Sequence, residues 1–295
     1  MLAIIPNKKI FLTISALLVL ASIVPMILWG LKLGIDFTGG SIWEVEFIKE
    51  RPANPAILAT LTSFQLDGAL IQTTGDKGAI LRFRHINEKT HETAYEYLNA
   101  LAPITERRFE TIGPVIGKEF QQKTIKALIW VLILIVVYIA WAFRKVSRPV
   151  SSWKYGLVAV VALIHDVTIP IGVFAVLGRF YGIEVDILFA TALLTVLGFS
   201  VHDTIVVFDR IRENLKSDPS GNFSDTINLS VNQTLSRSIN TSLTVMLVLF
   251  AILFLGGEST KYFALVLILG VFFGTYSSIF VASTLLDWFG KKAIK

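Results

Sequence analysis

The stretch VLGFSVHDTIVVFDRIREN, Val196 to Asn214, decides the class of this protein. It opens as a run apolar enough to enter a bilayer. It then sets His202 and Asp203 inside that run, a few residues before charge takes over. A carboxylate in hydrocarbon costs several kcal/mol unless it is paired, hydrated or protonated. The rest of the chain must supply one of the three.

Composition agrees with a bilayer. The 295 residues are 54% hydrophobic and 17% charged, with a mean hydropathy of +0.66, far from the averages of a soluble domain of this length. There is no cysteine, which excludes disulfides, thiolate chemistry and Cys-ligated zinc. The net charge of +5 needs no nucleic acid to explain it, because Lys and Arg cluster in short segments between apolar runs.

A spanning helix needs roughly 20 apolar residues. Six runs qualify: Ile10 to Leu31, Thr124 to Phe143, Tyr155 to Leu177, Ile183 to Phe208, Leu235 to Leu255 and Tyr262 to Phe289. The first is preceded by Lys8 and Lys9, as in a signal peptide, but its apolar core is too long and no small-residue cleavage site follows, so it reads as an uncleaved anchor kinked near Pro25. Among the tails and short loops, one side carries Lys8, Lys9, Arg144, Lys145, Arg148, Lys154, Arg210, Arg212, Lys216, Arg237, Lys291, Lys292 and Lys295; the other carries Arg179 and Lys261. The positive-inside rule makes both termini cytoplasmic. Residues 1–31 are then the N-terminus and first helix, 32–123 an extracytoplasmic domain, and 124–295 helices 2–6 with their cytoplasmic loops.

The outer segment reads as a small α+β domain. In SIWEVEF, Trp43, Val45 and Phe47 alternate with Glu44 and Glu46, the pattern of a half-buried strand. Pro55 to Phe64 is helical, Ala69 to Thr74 and Ala79 to Arg84 flank the hairpin signal GDKG, and Glu88 to Leu101 sets His91, Ala94, Tyr95, Leu98 and Leu101 on one helical face. Thr105 to Ile112 closes a βαββαβ order, the ferredoxin-like pattern. His85 and His91 read as surface or edge residues rather than metal ligands.

Asp203 lies about 21 residues along the fourth helix from Gly182, and Arg237 about 19 along the fifth from Gly256, so both are roughly 30 Å deep and natural partners. Gln233, Thr241 and Thr244 share the face of Arg237, with Asn240 beside them; such a stripe faces protein or water. A guanidinium in contact favours the ionised carboxylate, and separation in low dielectric favours protonation, so small helix movements would load and release a proton. A structural reading competes: Arg237 snorkels and Asp203 caps or pairs. His202, about 100° around the helix from Asp203, need not share its partner. His165 and Asp166 sit midway through the third helix, where function and a hydrogen bond to a neighbouring helix explain them equally well. The two His-Asp pairs differ by about seven residues of depth, near 10 Å, which disfavours a shared metal.

Three stretches then carry a resemblance: GIDFTGG (Gly34 to Gly40), GPVIGKEF (Gly113 to Phe120) and GFSVHDTIVVFDRIREN (Gly198 to Asn214). With LSRSINTSLT (Leu235 to Thr244) and GTYSSIFVAS (Gly274 to Ser283), they resemble the SecF side of the SecD/SecF family of bacterial protein translocation, over essentially the whole chain. The resemblance implies half of an exporter of the resistance-nodulation-division type, completed by SecD. It also implies association with the SecYEG channel and YajC, and contact with exported unfolded polypeptide and lipid. Protons act as the coupling ion, with no cofactor, no metal and no covalent chemistry. It carries a proton relay to Asp203 and Arg237, with Asp166 and His202 as secondary candidates. It marks Gly34, Asp36, Gly39, Gly40, Gly113, Pro114 and Gly117 as motif residues. The family pattern has Asn where this chain has His202. Gly270, Gly274, Ser278 and Ala282 repeat every four residues, a small-residue seam for helix packing.

Two other functions compete. One is a proton-driven exporter of lipids or small molecules on the same fold. The other is an intramembrane aspartyl protease using Asp166 and Asp203, against which stand the depth mismatch and the lack of a Gly-x-Gly-Asp stretch.

Overall fold

The computed structural model describes residues 2–63, 66, 69–144, 150–218 and 221–293, without the side chains of 258, 259 and 291–293. The expected end of a helix at Phe64, the charges Lys145, Arg148 and Lys295, and the side chains of Lys291 and Lys292 lie outside the described residues. Two compact units are present, Leu33–Ile125 and Met1–Lys32 with Lys126–Lys295.

Six described helices are long and apolar enough to cross a membrane: α1 (Lys8–Leu28), α5 (Pro114–Ala142), α6 (Ser152–Tyr181), α7 (Ile187–Ser217), α8 (Phe223–Leu255) and a last span, Thr260–Gly290. The last span combines α9 (Glu258–Tyr276), a π-helical turn (Ser277–Ala282) and α10 (Ser283–Ala293). Several helices outrun the apolar runs that predict them. Helix α5 starts at Pro114, well before Thr124, since proline fits a first helical turn. Helix α8 starts at Phe223, well before Leu235, because Asn222 caps it by accepting from the Ser224 amide and Asp225 suits its first turn. Hydropathy reports only the part of a helix that meets lipid; capping and propensity carry the backbone further.

Half or more of the apolar window is buried in α6, α7 and the last span, and little of it in α1, α5 and α8. The membrane core therefore belongs to the first three. Phe143 stacks on Tyr155 at 5.3 Å, and the Tyr155 ring meets the Phe208 edge at 5.2 Å. Ile211, Ile227, Val231 and Leu286 fill the same cluster. At Gly270 and Gly274 an added Cβ would run into Val196 and Ser200, so these glycines set how closely α9 lies on α7.

In Leu33–Ile125, α2 (Ile35–Thr38), β1 (Gly40–Phe47), α3 (Asn54–Thr62), β2 (Leu70–Thr74), β3 (Gly78–Phe83), α4 (Glu88–Leu101) and β4 (Ile104–Ile112) follow in order. The sheet runs β2-β3-β1-β4 with every pairing antiparallel, the expected ferredoxin-like arrangement. Trp43, Val45 and Phe47 are fully buried and pack with Ile57, Leu61, Leu81 and Leu98. One face of the strand and one face of each helix thus make a single core.

Two readings of this domain are corrected. His91 is buried: its Nε2 lies 2.8 Å from Glu106 Oε2, which also accepts from Trp43 Nε1 at 2.7 Å, and its ring stacks on Phe109 at 3.7 Å. Helical spacing had set His91 on the apolar face, and the Glu106 carboxylate makes its burial affordable. Leu101, assigned to that face, is exposed at the helix end. His85 is exposed, as expected, with Nδ1 2.8 Å from Thr111 Oγ1.

The motifs GIDFTGG and GPVIGKEF form one joint. Gly34 precedes α2, and Asp36 lies within it. Gly39, with φ +74°, is backed by the Pro114 backbone so closely that a Cβ has no room. Gly117 is just as tightly backed by the Gly39 amide and the Phe37 carbonyl. Gly40 also has a positive φ, whereas a Cβ at Gly113 would meet open space.

Candidate functional site: a buried layer of carboxylates and hydroxyls

Asp203, on α7, is 7% exposed. Its Oδ1 accepts from Ser238 Oγ of α8 at 2.6 Å, and its Oδ2 from Ser278 Oγ of the π turn at 2.7 Å. Asp166, on α6, is fully buried. Its Oδ2 accepts from Ser200 Oγ of α7 at 2.5 Å and Ser277 Oγ of the π turn at 2.7 Å, and its Oδ1 lies 2.8 Å from His165 Nδ1. Hydroxyls thus supply the contacts that burial takes from water.

The arrangement follows from where each residue falls on its helix. Ser200 and Asp203, three apart on α7, face the same side one turn apart. Ser277 and Ser278 are neighbours in sequence, and the widened π turn lets both point inward, one to each carboxylate. The seam of small residues runs into the same place: Gly270 and Gly274 bring the backbone of α9 against α7, and Ser278 then reaches Asp203.

This placement overturns the depth estimate for the two aspartates. Each is bonded to one of two adjacent serines, and Asp166 reaches a residue three positions from Asp203, so both belong to one polar layer. Residue counting from loop to loop fails because α6 runs past its apolar run to Tyr181, whereas α7 starts only at Ile187, inside its own run. The argument from depth against an aspartyl pair therefore falls. Each carboxylate has its own pair of serines, Ser200 and Ser277 on Asp166 and Ser238 and Ser278 on Asp203.

The expected contact between Asp203 and Arg237 is not made in this structure. Arg237 is exposed, and among the described residues no Lys or Arg forms an ion pair with Asp203 or Asp166. The depth match had found the right level, but the next residue, Ser238, occupies it: successive residues on a helix point about 100° apart. His202 is exposed, and Thr204, two residues on, is buried with no partner for its Oγ1 among the described residues. Among the described residues no group of His, Asp and Glu has the makings of a metal site.

From Ser238 the polar contacts continue through α8. Ser242 Oγ bonds Thr275 Oγ1 and donates to the Ser238 carbonyl. Further along, Asn214 Nδ2 donates to Ser230 Oγ and to Gln233 Oε1, the atom that also accepts from Arg210 Nε. Arg210 in turn pairs with Glu213.

Sequence reasoning passed over Asp287, which is fully buried, paired with Lys8 Nζ at 2.5 Å and accepting from Ser224 Oγ at 2.5 Å. The signal was present: a carboxylate inside the run Tyr262 to Phe289 carries the same cost as Asp203.

Comparison with known proteins decides what this arrangement belongs to. The family model for "Protein export membrane protein SecD/SecF, C-terminal" matches residues 93–292, and the "SecD/SecF GG Motif" model matches residues 30–47. The chain belongs to the SecD/SecF family. Among the relatives of this SecD/SecF chain, the protein translocase subunit SecF of Thermobaculum terrenum is 40% identical over 310 residues, covering 100% of this chain and 96% of the relative. That of Haemophilus influenzae is 36% identical, covering 93% of this chain and 82% of the relative. The crystal structure of SecDF from Thermus thermophilus superposes with a TM-score of 0.84 at 31% identity, covering 98% of this chain and 39% of that longer one. SecD/SecF membership makes this chain a protein-translocation component rather than an enzyme. The translocase reading thereby displaces the protease, whatever the positions of the two aspartates.

Proposed function

We propose that this chain is a SecF-type accessory subunit of the Sec preprotein translocase which, with a SecD partner, uses the proton motive force to promote polypeptide export and membrane-protein insertion at the cytoplasmic membrane. The observation that carries the reading is Asp203: a buried carboxylate, held by two serine hydroxyls from two other helices and paired with no cation among the described residues. Protonation removes its charge and recasts those hydrogen bonds, which gives a proton leverage over how α7, α8 and the π turn pack. One charge crossing the membrane potential is worth about 2.3 kcal/mol per 100 mV, comparable with the gap between two conformations of a transporter.

In this reading Asp203 is the working proton site. Arg237, one residue from Ser238, serves as its cationic partner in another arrangement of α8, and Asp166 and His202 are secondary candidates. The clustering of Lys and Arg supports cytoplasmic termini and an extracytoplasmic 32–123 segment, which in this family reading meets emerging polypeptide. The SecYEG channel and YajC are its further partners, and protons its coupling ion.

The test is pulse-chase export of a secreted reporter in cells that depend on this chain, comparing wild type with Asp203→Asn at matched membrane level and matched recovery with SecD. The expected result is loss of the export that depends on the proton gradient, with assembly retained. Unchanged export overturns the reading.

A further inference from the structure

We infer that His165 and Asp166 form a second proton-binding centre, coupled to Asp203 through the adjacent hydroxyls of Ser277 and Ser278. The inference rests on the proposed proton role of Asp203 and extends it to a two-site unit.

The first observation is a matched pair of alternatives. A serine hydroxyl has one hydrogen to give and two lone pairs to receive. Ser278 Oγ lies 2.7 Å from Asp203 Oδ2 and 3.0 Å from the Thr275 carbonyl; Ser277 Oγ lies 2.7 Å from Asp166 Oδ2 and 3.1 Å from the Gly274 carbonyl. With an ionised carboxylate, the serine hydrogen points at it. With a protonated one, the carboxyl hydrogen points at the serine oxygen and the serine hydrogen turns to the carbonyl. In both states the serine and carboxyl oxygens stay bonded to each other, and only the serine hydrogen's place, on the carboxylate or on the carbonyl, changes, so neither carboxylate is locked into a single charge. Because the two serines are neighbours in one π turn, a shift of that turn moves both donors together.

The second observation is independent. His165 is 4% exposed, and its Nε2 has no hydrogen-bond partner among the described residues, while Nδ1 faces Asp166. An imidazole that gives its Nδ1 hydrogen to Asp166 keeps a free lone pair at Nε2, a vacant seat for a proton beside a carboxylate. A purely structural aspartate already satisfied by Ser200 and Ser277 has no need of this ring.

The groups that face the unit are few. On α6 there is His165 itself; from α9 the Tyr276 ring stacks on His165 at 6.0 Å, with its hydroxyl near Ser15 of α1 and the Phe11 carbonyl. From α7 come Ser200 and, exposed, His202; from α8 come Ser238 and, exposed, Arg237. No Lys or Arg among the described residues forms an ion pair with either carboxylate. The two acids therefore feel one another and the hydroxyls that join them.

The experiment is infrared titration of the protonated carboxyl stretch, on the full chain in lipid vesicles, with bands assigned by Asp166→Asn and Asp203→Asn. Two titrating bands are expected, and Asp203→Asn should move the midpoint of the Asp166 band by about one pH unit, the size at which two sites titrate as a pair. Ser277→Ala with Ser278→Ala should keep both bands and lose that movement. Ser277→Thr with Ser278→Thr, which keeps both hydroxyls, should restore it. An Asp166 band that does not titrate, or a midpoint unmoved by Asp203→Asn, overturns the inference. Normal export by Asp203→Asn cells would overturn the export reading and leave these band positions standing. Lost export with uncoupled bands would overturn this inference alone.

Discussion

Asp287 behaves differently from the two aspartates of the polar layer, and the difference lies in its partner. It is fully buried against Lys8 Nζ, whereas Asp166 and Asp203 meet, among the described residues, hydroxyls and an imidazole but no Lys or Arg. A buried carboxylate beside an ammonium has an opposite charge at hand; one beside hydroxyls has hydrogen bonds but no countercharge. Removing one partner of a buried pair costs about 3 to 5 kcal/mol, whereas replacing both with apolar residues is often neutral. Lys8→Ala is therefore expected to destabilise the membrane unit by roughly 3 kcal/mol, and Lys8→Met with Asp287→Leu by much less. Thermal unfolding of the purified chain in detergent measures both. Equal losses in the single and double variants would show that the pair does not act as a charge pair.

Among the elements, the close approach of α9 to α7 fixes the layer's geometry. Gly270 is the tightest point, with the Val196 side chain filling the space where a Cβ would go. Gly270→Val should push the helices apart and pull Ser277 and Ser278 from their carboxylates. The expected outcome is loss of export with the Leu33–Ile125 unit still folded, checked by limited proteolysis beside the export assay; a fully active Gly270→Val would mean that α7 and α9 tolerate a wider spacing. The four-residue spacing of small residues was legible in the sequence, as were the alternation of SIWEVEF and the order of strands and helices, because local periodicity records which face is buried. The helix ends and the partners of Asp203 were not. Both depend on long-range placement: how far capping carries a helix beyond lipid, and which of two successive residues on α8, Arg237 or Ser238, turns inward. Only a rotation about the helix axis separates those two, and depth counting has no access to it.

At the scale of the whole molecule, the chain combines a membrane unit whose polar layer is held by single hydrogen bonds with a second unit that has a complete core of its own. In Leu33–Ile125, the first and last strands pair along their length, from Gly40 opposite Ile112 to Phe47 opposite Ile104, so both ends of the domain leave from one side of the sheet. Its buried Trp43, Phe47, Ile57, Leu81 and Leu98 all come from within that unit. A domain with its own core and adjacent ends is expected to fold when excised. The fragment 33–125 should therefore unfold reversibly in a single transition by circular dichroism. Within it, Gly39→Ala should lower the transition temperature, since φ +74° disfavours any side chain and the Pro114 backbone leaves no room for a methyl. Gly75→Ala also sits at a positive φ, +57°, yet has open space around it, so its loss should be limited to backbone strain of about 1 kcal/mol. A larger loss at Gly39 than at Gly75 would mark the joint between GIDFTGG and GPVIGKEF as part of the domain's own fold. Equal losses would mean that Pro114 gives way, and that the joint holds together only when the helices are present.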